Sequence, residues 1–188
     1  MKQKKHSQRQ KKTRQRVTDE TEQPTISVCI IARDEEKFLE TCLESVRGLA
    51  DEVIVGDTGS SDGTKAVARK AGARVLDVPW DGNFSKARNT TLGEAKGDWI
   101  FVIDCDETLT GKDWARIRDA AVNGDAAGFR MTTRNYADAP NRVGWQACKG
   151  DYAEEKRHPG WYPTTKVRLF RNDPRIRFQG RVHELVEG

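Results

Sequence analysis

The stretch Trp99 to Thr110, Trp-Ile-Phe-Val-Ile-Asp-Cys-Asp-Glu-Thr-Leu-Thr, breaks from an apolar run into a cluster of acids, and it concentrates the chemistry this sequence could do. A carboxylate at the mouth of a core strand is costly unless a cation meets it. Asp104 and Asp106 alternate, so in an extended chain both project to one side and can reach a single ion. Carboxylate oxygens suit magnesium or manganese, and such an ion with open positions holds the phosphates of a nucleotide. An isolated Asp-x-Asp serves as well to cap the helix expected from Gly111, so the surrounding elements must decide.

Those elements alternate. Ile26 to Ile31 is a β-rich apolar run, after which Asp34 is expected to cap a helix with Phe38, Leu39, Cys42, Leu43 and Val46 at helical spacing. Val53 to Val55 predicts a second strand ending at Gly56 and Asp57, and the turn Thr58-Gly-Ser-Ser-Asp-Gly leads into a helix through Lys70. Arg74 to Val78 predicts a third strand, Ser85 to Ala95 a weaker helix, and Trp99 to Ile103 a fourth, fully buried strand. Strands separated by helices predict an α/β fold, Rossmann-like, with right-handed crossovers and a mostly parallel sheet flanked by helices. Ligands of such sheets bind beyond the carboxyl ends of the strands, where strand order reverses. Ala32-Arg-Asp-Glu, Asp57-Thr-Gly-Ser and Asp104-Cys-Asp-Glu all fall on that rim.

The turn from Gly59 to Gly63 lacks the Gly-Lys-Ser/Thr ending of a P-loop, and no G-x-G-x-x-G follows the first strand. Asp62 reads as a helix cap. Asp57, at the strand end itself, suits a base N–H or a ribose hydroxyl.

Farther along, Gly111 to Asn123 predicts a helix and Ala127 to Thr133 a strand extending the sheet. Asn135 to Pro163 is polar and aperiodic, and its Trp145, Trp161 and Tyr162 either stack on an acceptor or cover the sheet. Lys166 to Phe170 and Ile176 to Val182 then alternate as a strand pair around Asn172-Asp-Pro, with His183 and Glu184 at its end.

The 188 residues suit one domain with a core of its own, and 33% charged residues imply a heavily solvated surface. No run approaches the roughly eighteen apolar residues of a membrane span, and there is no apolar signal core. Cys29, Cys42, Cys105 and Cys148 lack CxxC spacing, which argues against zinc and for a reducing compartment. Residues 1 to 24 hold eight Lys/Arg against three acids, while the rest holds 25 against 26. That basic tail is expected to be disordered, either a solubilising extension or an arm for RNA or an anionic membrane surface. The expected setting is cytoplasmic, with a peripheral place at the inner membrane face open to the tail.

Together the stretches 26–36, 51–64, 84–89 and 97–107 resemble the family 2 glycosyltransferases, nucleotide-sugar enzymes of the GT-A fold. Lys166-Val-Arg-Leu-Phe-Arg and Gly180-Arg-Val-His-Glu are similar to the branch often fused to tetratricopeptide repeats. The resemblance implies a GT-A domain over 25–188, with a nucleotide-binding half at 25–110 and an acceptor-side half, mixed in strand direction, at 111–188. It implies Ala32, Arg33, Glu35 and Asp57 around the nucleoside, Arg88 at the diphosphate, and Asp104 and Asp106 on Mn2+ or Mg2+. Asp34 stands where the family usually has Asn, and Cys105 where a small Ala is common, so Cys105 is expected beside the donor. The chain ends at Gly188 without the repeats or helices that usually follow, and the expectation allows for an incomplete acceptor half.

Family 2 enzymes invert the anomeric centre, so a base is expected opposite the leaving group. Glu184 is the expected base, with His183 a metal or phosphate contact. The donor implied is a UDP-sugar, whereas the acceptor, whether glycan, lipid, protein or small molecule, is left open. The rival is a haloacid dehalogenase-type phosphatase with Asp104 as nucleophile and Asp106 as acid/base, but that motif normally opens its domain.

Overall fold

The computed structural model describes residues 23–140 and 143–188, so the expectation for the basic tail lies almost wholly outside the described residues. Strands β1 (Ile26–Ala32), β2 (Glu52–Asp57), β3 (Arg74–Asp77) and β4 (Trp99–Val102) alternate with helices α1 (Glu36–Val46), α2 (Thr64–Lys70) and α3 (Phe84–Leu92). After helix α4 (Gly111–Asn123) come β5 (Gly128–Ala137), β6 (Gln146–Ala147), a 3-10 turn at Ala153–Lys156, and the long β7 (Gly160–Arg171). Short strands β8 (Arg177–Gln179) and β9 (Leu185–Glu187) close the chain.

The main sheet runs β3-β2-β1-β4-β7-β5, with β6 also on β7. The first four strands are parallel, whereas β7 is antiparallel to β4, β5 and β6. The expected α/β class, its mostly parallel sheet and its mixed C-terminal portion are all present. Strand order reverses between β1 and β4, which sets a binding crevice beyond their carboxyl ends.

Strand alternation sorts two cores. Ile26, Val28, Ile30, Trp99 and Phe101 pack with Leu39, Cys42, Leu43, Val46 and Ile117 on the α1, α2 and α4 face. Cys29, Ile54, Ile100, Val102 and Phe170 pack with Leu92 and Phe178 on the α3 and β8 face. Both faces of the parallel strands are therefore apolar, as covered α/β sheets require.

Three expectations need correction. Phe38, placed on the apolar face of α1 by spacing, is 55% exposed. Asp34 does not cap α1: it takes φ 55°, Glu35 precedes the helix, and the Asp34 carboxylate turns to the neighbouring loop. Lys166–Phe170 and Ile176–Val182 do not pair with each other. β7 instead pairs with β4, β5 and β6, while β8 pairs with β9. Its row of Leu169 and Phe170 fills both cores, and only a central position in the sheet buries both faces.

Candidate active site

Register places Ala32 directly beside Asp57 at the carboxyl ends of β1 and β2. Asp57 is buried, and its Oδ1 accepts from the backbone N–H of Gly59 at 3.0 Å and of Ser60 at 2.9 Å. Lys65 Nζ lies 3.4 Å from the same oxygen. Burial pushes this carboxyl up, but the Ser60 and Gly59 hydrogen bonds and Lys65 outweigh it and leave the group below its ordinary value. Among the described residues, Asp57 Oδ2 is the buried side-chain oxygen left without a hydrogen-bond partner. A buried acceptor of this kind invites a donor from a ligand.

The loops after β1 and β2 are stitched together. Ser60 Oγ accepts from Asp34 N–H, and Asp34 Oδ1 accepts from Ser61 N–H at 2.7 Å. Asp62 Oδ2 accepts from Glu36 N–H, while Glu36 Oε2 accepts from Gly63 N–H. Asp62 also accepts from Thr64 N–H, but the residue directly before α2 is Gly63, so Asp62 braces the first turn from one residue outside the N-cap position expected of it. Asp34 thus fixes the rim on which Arg33 and Glu35 sit, and Arg33 is exposed there.

At the end of β4 the chain turns rather than continuing extended. Glu107 N–H donates to Asp104 O at 3.0 Å, and Glu107 Oε2 accepts from Asp104 N–H at 3.1 Å. Cys105 and Asp106 are the middle of that turn, so extended-chain alternation does not relate Asp104 to Asp106. Asp104 keeps the alternation of Ile100 and Val102 and faces α3, whereas Cys105 packs against the opposite core. Burial drives the Cys105 thiol up to about 12, so its side chain is held as the neutral thiol. Asp106 is exposed.

Arg88 of α3 joins two parts of the chain far apart in sequence. Its Nη2 donates to Asp104 Oδ1 at 2.6 Å, and its Nε donates to Glu184 Oε1 at 2.7 Å. Arg168 of β7, buried, lies 3.3 Å from Asp104 Oδ2 and 2.5 Å from Glu107 Oε1, and Lys166 Nζ lies 3.6 Å from Asp104 Oδ2. Burial alone would raise the Asp104 carboxyl, but Arg88, then Arg168 and Lys166, hold it at about 2. His183 sits exposed beside Glu184 with φ 57°.

Two cavities meet along Lys166 and Arg168. One, of about 650 Å³, takes in Asp104, Asp106, Glu107, Tyr136, Tyr152 and Tyr162. The other, of about 550 Å³, lies between α3, β7 and the β8–β9 hairpin and takes in Arg88, His183 and Glu184. The wall of the first is ordered by a buried carboxylate: Glu155 Oε2 accepts from the N–H groups of Lys149, Gly150 and Asp151, and Arg134 donates to its other oxygen. Arg134 is sandwiched between Tyr152 and Trp161, with ring centroids 4.2 and 4.4 Å away. Trp161, buried in β7, thus packs on the Arg134 guanidinium at this wall.

Arg168, Lys166 and Glu107 were not singled out as site residues by the sequence. Their signal was the i, i+2 spacing of Lys166 and Arg168 on an alternating strand, which acquires meaning only once β7 lies beside β4. No group of three or more His, Cys, Asp or Glu is poised to hold a metal among the described residues. Asp106 and the remaining lone pairs of Asp104 fit the one or two carboxylates that a phosphate-bridging Mg2+ or Mn2+ site requires.

The glycosyl transferase family 2 model matches residues 27–178. A TPR repeat-containing protein of Synechococcus elongatus is 39% identical over 163 residues, covering 86% of this chain and 35% of that protein. The glycosyltransferase SunS of a Bacillus subtilis prophage is 27% identical over 168 residues, covering 88% and 36%. The chain thus spans about a third of the length of these curated relatives. Among solved structures, glucosyl-3-phosphoglycerate synthase of Mycobacterium tuberculosis, in complex with Mn2+, UDP and glucosyl-3-phosphoglycerate, is similar at 29% identity and a TM-score of 0.49, over 56% of this chain and 42% of that one.

Proposed function

The chain belongs to glycosyl transferase family 2, and we propose that it moves a sugar from a nucleoside diphosphate, a UDP-sugar by preference, to a hydroxyl acceptor with inversion. The observation that carries this reading is the unpartnered Oδ2 of Asp57 on the same rim as the Asp104 turn. A uracil N–H is the kind of donor that oxygen lacks. Ala32, Arg33 and Glu35 line the nucleoside side of the rim, and the Cys105 backbone approaches the donor sugar.

Asp106 and Asp104 would hold Mn2+ or Mg2+. When bound, the ion neutralises charge developing on the departing diphosphate. Arg88, Arg168 and Lys166 supply fixed positive charge at the same place, with Arg168 buried and therefore preorganised. Glu184 has Oε1 occupied by Arg88 and offers Oε2 to the acceptor hydroxyl as general base, with His183 beside it for a phosphate or metal contact. The phosphatase reading is not favoured: the family match spans 27–178, and Asp104 is held in place by two arginines rather than presented as a free nucleophile.

Calorimetric titration with UDP-, GDP- and TDP-sugars, with and without manganese, tests the reading. Binding of a UDP-sugar that requires manganese, and that Asp106→Asn abolishes, is the expected outcome. Binding indifferent to both the metal and the substitution refutes the assignment.

A further inference from the structure

Resting on that reading, we propose that Asn89 is a positioning residue: its side-chain amide docks the β8–β9 hairpin onto α3 and so sets Glu184 against Arg88. Asn89 Nδ2 donates to Phe178 O at 2.9 Å, and Asn89 Oδ1 accepts from Phe178 N–H at 2.9 Å. The amide thereby occupies both backbone groups of one residue, as a neighbouring strand would.

The hairpin needs such an anchor. A two-stranded hairpin is marginal in water by itself, and β8 and β9, three residues each, form a sheet separate from the main one. Hydrogen bonds from α3 and the segment just before it hold the hairpin, and β7 packs against it through Phe170. Phe84 N–H donates to Arg181 O at 3.0 Å, Ser85 Oγ donates to Gly180 O, and Arg181 Nη2 donates to Asp81 O at 3.1 Å. Phe178 is buried against Phe170, edge to face at 6.3 Å, and Arg88 lies 5.3 Å over its ring.

Arg88 and Asn89 are adjacent in sequence and divide the work: one meets the Glu184 carboxylate, the other the backbone six residues before it. Because α3 delivers Arg88 to Asp104 as well, one helix sets the donor-side acid and the acceptor-side acid in a common frame.

The test uses the Arg88 Nε–H signal in proton–nitrogen spectra of the whole chain, since that hydrogen bonds Glu184 directly. Asn89→Ala is expected to speed its exchange with water about tenfold, while amides of β1, β2 and β4 keep their protection. Asn89→Asp, which keeps the acceptor and loses the donor, is expected to do the same and covers the case in which the alanine variant does not fold. With a nucleotide sugar that the wild type turns over, kcat falls about tenfold while affinity for the nucleotide is unchanged. An unaltered Arg88 signal, parallel loss of nucleotide affinity, or failure of both variants to fold would overturn the proposal. A chain that binds no nucleotide would remove the functional reading and leave the Arg88 signal test standing.

Discussion

Asp104 meets three cationic side chains, and that asymmetry has a pH signature. Its folded value of about 2 lies below its ordinary 3.8, so the interaction stabilises the fold fully above about pH 4 and is lost as pH falls toward 2. The difference corresponds to about 2 kcal/mol. Urea unfolding of wild type and Asp104→Asn between pH 5 and pH 2 should show a steeper loss in the wild type by that amount; parallel curves would contradict the assignment. Residues of this kind were legible when position alone marked them. Asp57 and Asp104 stand at the ends of apolar strands, where burial makes an acid costly unless partners meet it. Arg168 was not legible, because nothing in Lys166-Val-Arg says which strand will lie beside it. Asp106 shows the other limit, since the chain leaves the extended conformation at Asp104 and a turn breaks the alternation of side chains.

Helix α3 carries Arg88 and Asn89, and its distance from the sheet is set by a glycine. A Cβ on Gly56 of β2 would stand 2.1 Å from Thr91 Oγ1, inside any tolerable contact. Thr91 is fully buried and bonds back to Ala87 O, so it has little room to yield. Gly56→Ala should cost about 2 kcal/mol and push α3 outward, read as a lower urea midpoint with a weakened Arg88 Nε–H signal. A midpoint equal to wild type would show that the helix moves freely. The parallel half of the fold was legible because strand and helix periods alternate cleanly from Ile26 to Val102. The mixed half was less so: alternation along β7 reveals which residues share a face, but not which strand is its neighbour. Asn135–Pro163, which has no period, proved to be the end of β5, the short β6, a 3-10 turn and the start of β7, ordered in part by the buried Glu155.

Across the whole molecule, the parallel strands present one rim and β7 with the hairpin presents the opposing side, so acids separated by eighty residues of chain share a single arginine. Among the described residues no helix is long and apolar enough to cross a membrane. What occupies the crevice between β1, β2 and β4 decides whether the chain handles a nucleotide and a metal there. A crystal grown with UDP and manganese, with data collected at the manganese absorption edge, addresses this directly. The expected result is an anomalous peak at coordination distance from Asp106, about 2.1 Å, and a uracil N–H on Asp57 Oδ2. A nucleotide bound elsewhere, with that oxygen still unpartnered and the metal away from the Asp104 turn, would contradict it.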